Sequence, residues 1–315
     1  MKLLILSPNY SRRVNWGHQH VRDYLLDSID RSVQYGEHCQ YKGKTHIPDI
    51  ILDLINILGY PQAILMENWK NMSKYTGGKE VGCLKAFMVC DYYPDSRNHI
   101  VYYNDLLRAL NVKLAICPTP DVVRHVENQK SEGHLPKDLE TIWIPHGVDT
   151  NIFKKRNIIQ KYDVMAVFGL VSYIYPRRPA VQKMIKEMNV SSLVGDWSSG
   201  IRHWDYARAI NQSKIFVNCN GINNQVLMKY SEAMASGTML LTNTPNNCNE
   251  FGFRPGKHFE VWDDIDELRE KILYYLANED ERNEIAEAGM EYTREHFSAK
   301  RIASRIKEAL ELRTQ

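Results

Sequence analysis

Residues 221–241 read GINNQVLMKYSEAMASGTMLL, and the fold follows from them. An asparagine-rich loop, with Asn223, Asn224 and Gln225, runs into a short amphipathic helix expected over 226–236. Gly237 closes that helix, and an apolar strand from Met239 to Thr242 comes next. A helix N-terminus offers unpaired N–H groups and a partial positive charge, which suits phosphate. Lys229 adds a full charge one turn in, and Glu232 lies one further turn along the same face. A cation beside a lone carboxylate suits a nucleotide: the cation on the diphosphate, the carboxylate on ribose hydroxyls. On these residues alone, a plain loop and core helix of an α/β protein fits as well.

Outward from this segment, short apolar runs alternate with helical patterns, which predicts parallel sheets covered by helices. In the first half, strands are expected at Lys2–Leu6, Ala63–Met66, Ala86–Cys90, Leu114–Cys117 and Thr141–Ile144. Helices are expected between them at 18–29, 48–58, 99–109 and 120–128. The turn-rich PHGVD at 145–149 and the basic KKRNIIQKY after Phe153 mark a boundary. The second half restarts the pattern, with strands at Val164–Phe168, Ser192–Val194, Ile215–Asn218, Met239–Leu241 and Phe259–Val261. Its helices are expected at 178–188, 203–211, 226–236, 264–277, 280–295 and 298–312. At 315 residues the length suits two domains, each with its own core. We expect a Rossmann-like domain over 1–150, a second over 151–297, and a closing helix over 298–315. Parallel sheets of this kind bind ligands outside the carboxyl ends of their strands.

Composition excludes several classes. The chain is 43% hydrophobic and 25% charged, as soluble globular proteins are. Its net charge of +2 argues against a protein whose main task is coating nucleic acid. No apolar run reaches the roughly 18–20 residues of a membrane span. The opening MKLLILSPNY reads as a first strand, not a signal peptide. The six cysteines are scattered, with no C-x-x-C pair, and suit reduced core positions in a cytoplasmic protein.

Three ordered segments carry a family likeness. IPHGVDTNIF at 144–153 is similar to the interdomain "P-x-G-V-D…F" segment of GT-B-fold glycosyltransferases. YSEAMASGTMLLTN at 230–243 resembles their "E-A-x-A-S-G…L-L-T" signature, and the stretch from Phe253 to Ser298 follows their closing helical pattern. The likeness is greatest to the retaining nucleotide-sugar families and the spore-maturation-protein-like branch. It covers about residues 140–300, with the N-terminal half matching loosely. It implies two Rossmann-like domains facing each other across a cleft, with the C-terminal helix crossing back to the first.

Carried onto this chain, the resemblance assigns Glu232 to the ribose and Lys229 to the diphosphate of the leaving group. Eight residues before Glu232, many retaining members have a second Glu; this chain has Asn224, whose amide can still donate to a sugar hydroxyl or a phosphate. Arg177 and Arg178 follow the loop GLVSYIYP, where relatives present cations to donor phosphates; Arg177 is slightly favoured for catalysis and Arg178 for donor binding. Ile201, with the Gly195-Asp196-Trp197 run before it, falls at the nucleobase pocket. Gly17, in Asn15-Trp16-Gly17-His18, resembles the glycine loop near the donor phosphate. Asp91, at a strand's carboxyl end, is expected to orient the acceptor hydroxyl, with His18 and His99 beside it. His146 is expected to shape the linker.

The resemblance therefore implies transfer of a sugar from a nucleotide-diphosphate sugar, with UDP-glucose the leading donor, and with retention at the anomeric carbon. No D-x-D pair stands in a loop, and Asp263-Asp264 reads as a helix cap. Metal-independent transfer is expected, with no cofactor beyond the nucleotide-sugar. Three other readings share the fold: a sugar-nucleotide epimerase, an inactive sugar- or nucleotide-binding module, and a phage-type glucosyltransferase acting on DNA. For the last, Arg12-Arg13 and Lys42–Lys44 would line a groove. The sequence leaves the acceptor open among small molecules, glycans, proteins and DNA, and is silent on oligomeric state.

Overall fold

Runs of four to six apolar residues are too short for buried helices, and in this chain they become the strands of two parallel sheets. The computed structural model describes residues 1–7, 17–36, 39, 42–67, 72–89, 97–171, 173–196, 201 and 203–315; for 17–20, 97–99 and 203 it describes the backbone alone. Contacts divide the chain into one unit built from most of the first 146 residues plus Ile302–Gln315, and a second built around Gly147–Arg301.

In unit 1 the order is β1 (Lys2–Leu6), α1 (Gly17–Ser28, belonging to this unit from Val21 onward), β2 (Arg31–Tyr35), α2 (Ile47–Leu58), β3 (Ala63–Glu67), β4 (Leu84–Met88), α3 (Arg97–Ala109), β5 (Leu114–Cys117), α4 (Pro120–Ser131) and β6 (Glu140–Trp143). The sheet runs β2-β1-β3-β4-β5-β6, and its paired strands are parallel. Leu4, Leu6, Ile64, Met66 and Phe87 form its core with Ile50, Leu54 and Leu107 from the helices.

Two differences from the sequence reading have clear causes. Strand β2, RSVQY, was not anticipated; as an edge strand it is buried fully only at Tyr35, so hydropathy does not announce it. Strand β4 starts two residues before the expected Ala86 because Lys85 lies inside it. That buried lysine keeps its ammonium on the Val81 and Cys83 carbonyls, 2.6 and 2.9 Å away.

Unit 2 contains β7 (Tyr162–Val167), α5 (Arg178–Glu187), β8 (Ser192–Gly195), α6 (His203–Asn211), β9 (Ser213–Asn218), α7 (Met228–Ala235), β10 (Met239–Asn243), β11 (Glu260–Trp262), α8 (Ile265–Ala277) and α9 (Glu279–His296). The last helix, α10 (Ala299–Glu311), belongs to unit 1 from Ile302 onward. The sheet runs β11-β10-β9-β7-β8, again parallel throughout. Gly237 follows α7 with φ +70, the left-handed geometry that ends a helix without a Cβ penalty. Asp264 caps α8 by accepting from the Glu267 N–H at 2.9 Å, as expected from sequence.

Each sheet has one place where the chain reverses its direction of travel. In unit 2 the chain steps from β7 out to β8 and then returns across β7 to β9. In unit 1 it steps from β1 to β2 and returns across β1 to β3. Crevices open at the carboxyl ends of such strand pairs.

Candidate functional site

The switch point of unit 2 is bounded by the loop after β7 and the loop after β9. The two loops touch: the Ile222 N–H donates to the Ile174 carbonyl at 2.8 Å. A Cβ on Gly221 would stand 3.0 Å from that same oxygen, so the approach favours glycine. Arg178, at the start of α5, fastens the loops together. Its Nε donates to the Cys219 carbonyl and its Nη1 to the Gly169 carbonyl, both at 2.8 Å. The guanidinium lies 3.3 Å from the Tyr175 ring centroid and 4.8 Å from that of Phe168. Arg178 is only 2% exposed, whereas Arg177 is exposed and donates to the Asp263 carbonyl at 3.1 Å. The buried arginine is therefore the fixed positive charge at the switch point.

Helix α7 starts at the end of the second loop. Its N-cap, Leu227, has no side chain able to accept from the first turn. Lys229 and Glu232 are half-buried one turn apart. The Lys229 ammonium donates to the Tyr206 hydroxyl of α6 at 2.6 Å and lies 4.5 Å from that ring's centroid. Burial brings the lysine down to about 8; Glu232 opposes this and Arg178 adds to it. Burial and Glu232 together hold the Tyr206 phenol well above its usual value. Arg178, Tyr206, Lys229 and Glu232 thus form one electrostatic cluster drawn from α5, α6 and α7.

The asparagines stitch the loop to the sheet. Asn224 takes a left-handed conformation, φ +46. Its Oδ1 accepts from Asn243 at 2.6 Å and from Asn220 at 3.2 Å, while its Nδ2 donates to the Thr244 carbonyl. Asn220 also donates to the Tyr230 hydroxyl at 2.9 Å. The Asn224 amide is engaged on both its oxygen and its nitrogen. Asn223 differs: its Nδ2 is buried without a hydrogen-bond partner, a donor in want of an acceptor. Gln225 is half-buried at the end of the loop.

Among the other expected residues, Ile201 is half-buried two residues before α6. Gly17 is the first residue of α1. The side chains of His18 and His99 lie outside the described residues, as does the whole of Asp91. His146 is half-buried just after β6. Among the described residues, no three His, Cys, Asp or Glu side chains are grouped to hold a metal ion, and no helix is long and apolar enough to cross a membrane.

Sequence reasoning did not single out Tyr206, Asn220 or Asn243. The faint signal for Tyr206 was its place on the buried face of α6 with Ala207 and Ile210. It also missed a buried polar cluster at the switch point of unit 1. There Arg22 of α1 reaches Ser7 at 3.3 Å and Glu67, the last residue of β3, at 3.2 Å; the Ser7 hydroxyl also donates to Glu67. Burial pushes the Glu67 carboxyl up, against Arg22 and Ser7.

Residues 177–308, most of them in unit 2, match the family model described as glycosyl transferase-like. No curated protein matches the chain by sequence. Among solved structures, HepE from Anabaena in complex with UDP-glucose is 13% identical, with a TM-score of 0.73 over 99% of each chain. Its complex with UDP gives 0.72. A glycosyltransferase from Rickettsia africae ESF-5 gives 0.66 at 13% identity, over 98% of this chain and 97% of its own. Sucrose-phosphate synthase from Thermosynechococcus elongatus also gives 0.66, at 12% identity over 99% of each chain. At these identities the likeness establishes the architecture, and that architecture is GT-B.

Proposed function

We propose that this chain, a GT-B-fold protein, moves a sugar from a nucleotide-diphosphate sugar to an acceptor. One observation carries the reading. Lys229 and Glu232 stand a turn apart on α7, beside the switch point where Arg178 is fixed. Glu232 accepts from the ribose hydroxyls. Lys229 and the uncapped first turn of α7 face the diphosphate. Arg178 supplies charge from behind the loops.

Glycosyl transfer must stabilise an oxocarbenium-like sugar while a nucleoside diphosphate departs. Positive charge fixed before the reaction lowers that barrier without reorganisation. Lys229 and Arg178 provide it, and we infer that transfer runs without a metal. Asn223 offers its unpartnered Nδ2 to the donor, while Asn224 shapes the loop. UDP-glucose is the donor we favour, because HepE, of the same architecture, holds UDP and UDP-glucose. Retention at the anomeric carbon follows from the family resemblance, with a donor phosphate oxygen helping to deprotonate the acceptor. Asp91, His18 and His99 are kept as acceptor-side residues, and the acceptor is a small molecule, glycan, protein or DNA. Free cysteines at all five described cysteine positions suit a reducing, cytoplasmic setting.

The test is to incubate the protein with a panel of nucleotide sugars, with and without EDTA and candidate acceptors, and to follow nucleoside-diphosphate release and binding. Glu232→Ala is expected to weaken UDP binding by about tenfold or more, the loss of charged hydrogen bonds worth ~1.5–3 kcal/mol. Lys229→Ala is expected to lower kcat by about 100-fold or more, as removal of a transition-state donor does. Neither release nor binding from any donor would sink the transferase reading. Wild-type kinetics in both variants would sink the residue assignment.

A further inference from the structure

We propose that Tyr206 is a positioning residue for Lys229, holding its ammonium beside the first turn of α7 so that it meets a nucleoside diphosphate already oriented. The inference rests on the nucleotide-binding reading of this site. A lysine has a flexible four-carbon stem, and fixing it costs rotamer entropy that is otherwise lost when the ligand binds. Tyr206 removes that cost beforehand. The ring is only 7% exposed and is wedged edge-to-face between Phe153 and Phe216, with centroids 6.5 and 6.4 Å away. Its hydroxyl therefore has little freedom, and it spends its acceptor on Lys229 at 2.6 Å.

The ring also contributes. The ammonium lies 4.5 Å from its centroid, within reach of the aromatic quadrupole. Glu232, on its own helix, and Arg178 of α5 also act on Lys229, with opposite effects. The hydroxyl favours the charged lysine by accepting from it, so removing the hydroxyl makes the ammonium easier to deprotonate. Since the unliganded lysine titrates at about 8, such a change falls within a measurable range.

Tyr206→Phe keeps the ring and deletes the acceptor. Two readouts apply: the pH dependence of Lys229 acetylation, followed by mass spectrometry, and UDP affinity by calorimetry from pH 6.5 to 9. In the wild type, labelling should rise with a midpoint of about 8, and UDP affinity should fall across the same range. In Tyr206→Phe the labelling midpoint should drop by about one pH unit, and UDP affinity at pH 7.5 should fall about tenfold. In a Lys229→Met background, Tyr206→Phe should cost little further affinity, since the two act through one contact. Lys229→Arg, whose charge does not titrate, should lose the alkaline fall and so tests the lysine even if Tyr206→Phe folds poorly. An unmoved midpoint, an equal loss in the Lys229→Met background, or an alkaline fall that persists in Lys229→Arg would each overturn the proposal. A wild type that binds no UDP while its labelling midpoint still moves would remove the nucleotide reading, leaving the pair a structural contact.

Discussion

Asn224 stands eight residues before Glu232, where many retaining relatives place a second carboxylate. The sequence suggested an amide turned toward sugar or phosphate. In the structure that amide ties its own loop, at Asn220, to the end of β10, at Asn243 and Thr244. A latch and a ligand contact predict different things. Asn224→Ala loses these bonds and leaves a left-handed backbone that alanine disfavours, so unliganded stability should drop by about 1–3 kcal/mol. Urea unfolding without nucleotide measures this directly. Unchanged unliganded stability with weakened donor binding would show that Asn224 contacts the donor instead. The asparagine-rich runs NCNGINN and NTPNNCN were both visible in the sequence. Their mutual pairing was not, because it depends on β9 and β10 lying side by side.

Elements were far more legible than contacts. Helices α5, α6, α8 and α9 and the inner strands follow from periodicity to within a residue or two, because each buries a continuous apolar face. Misreadings fall where burial and polarity part company, at edge strand β2 and at Lys85. The packing of α9 shows a second kind of contact hidden from periodicity. Its Tyr292 stacks on His258, from the segment between β10 and β11, with centroids 4.4 Å apart and planes 11° apart. The ring's Nδ1 accepts from the Arg254 N–H at 3.2 Å, an interaction that needs an unprotonated nitrogen. Burial lowers the imidazole's affinity for protons, with Lys257, Arg254 and His296 adding to the effect. The folded value is depressed, so the unfolded chain takes up the proton first. The contribution of His258 is then fully present above the ordinary imidazole value of 6.5 and is lost as pH falls toward the folded value. Urea midpoints measured from pH 7.5 to 5 should fall less steeply in His258→Phe than in the wild type. Parallel slopes would contradict this assignment.

At the scale of the molecule, the sequence speaks unevenly. The family model covers only 177–308, while the structural likeness to HepE spans 99% of the chain. Unit 1 repeats the parallel architecture with little of the motif, because an apolar strand pattern specifies a sheet without specifying which residues must stand at its ends. The C-terminal helix shows how the chain completes that unit. The segments entering and leaving unit 2 pair with each other: Val148 donates to Phe297 at 2.9 Å, and Ala299 donates to Val148 at 2.8 Å. Beyond them α10 joins the unit that began the chain. Lys307 donates to the Ser28 carbonyl at 2.8 Å, Arg305 to the Trp143 carbonyl at 3.0 Å, and Arg313 to Glu140 at 2.8 Å. These bonds are largely exposed and of modest worth. The fully buried Ile306 and Leu310 carry the attachment instead. Leu310→Ala should cost about 2–5 kcal/mol, the range for a buried leucine that leaves a cavity. The loss belongs to unit 1, so amide exchange should quicken in β1 and β6 while β9 and β10 keep their protection. Faster exchange confined to β9 and β10 would mean that the last helix stabilises unit 2 rather than unit 1.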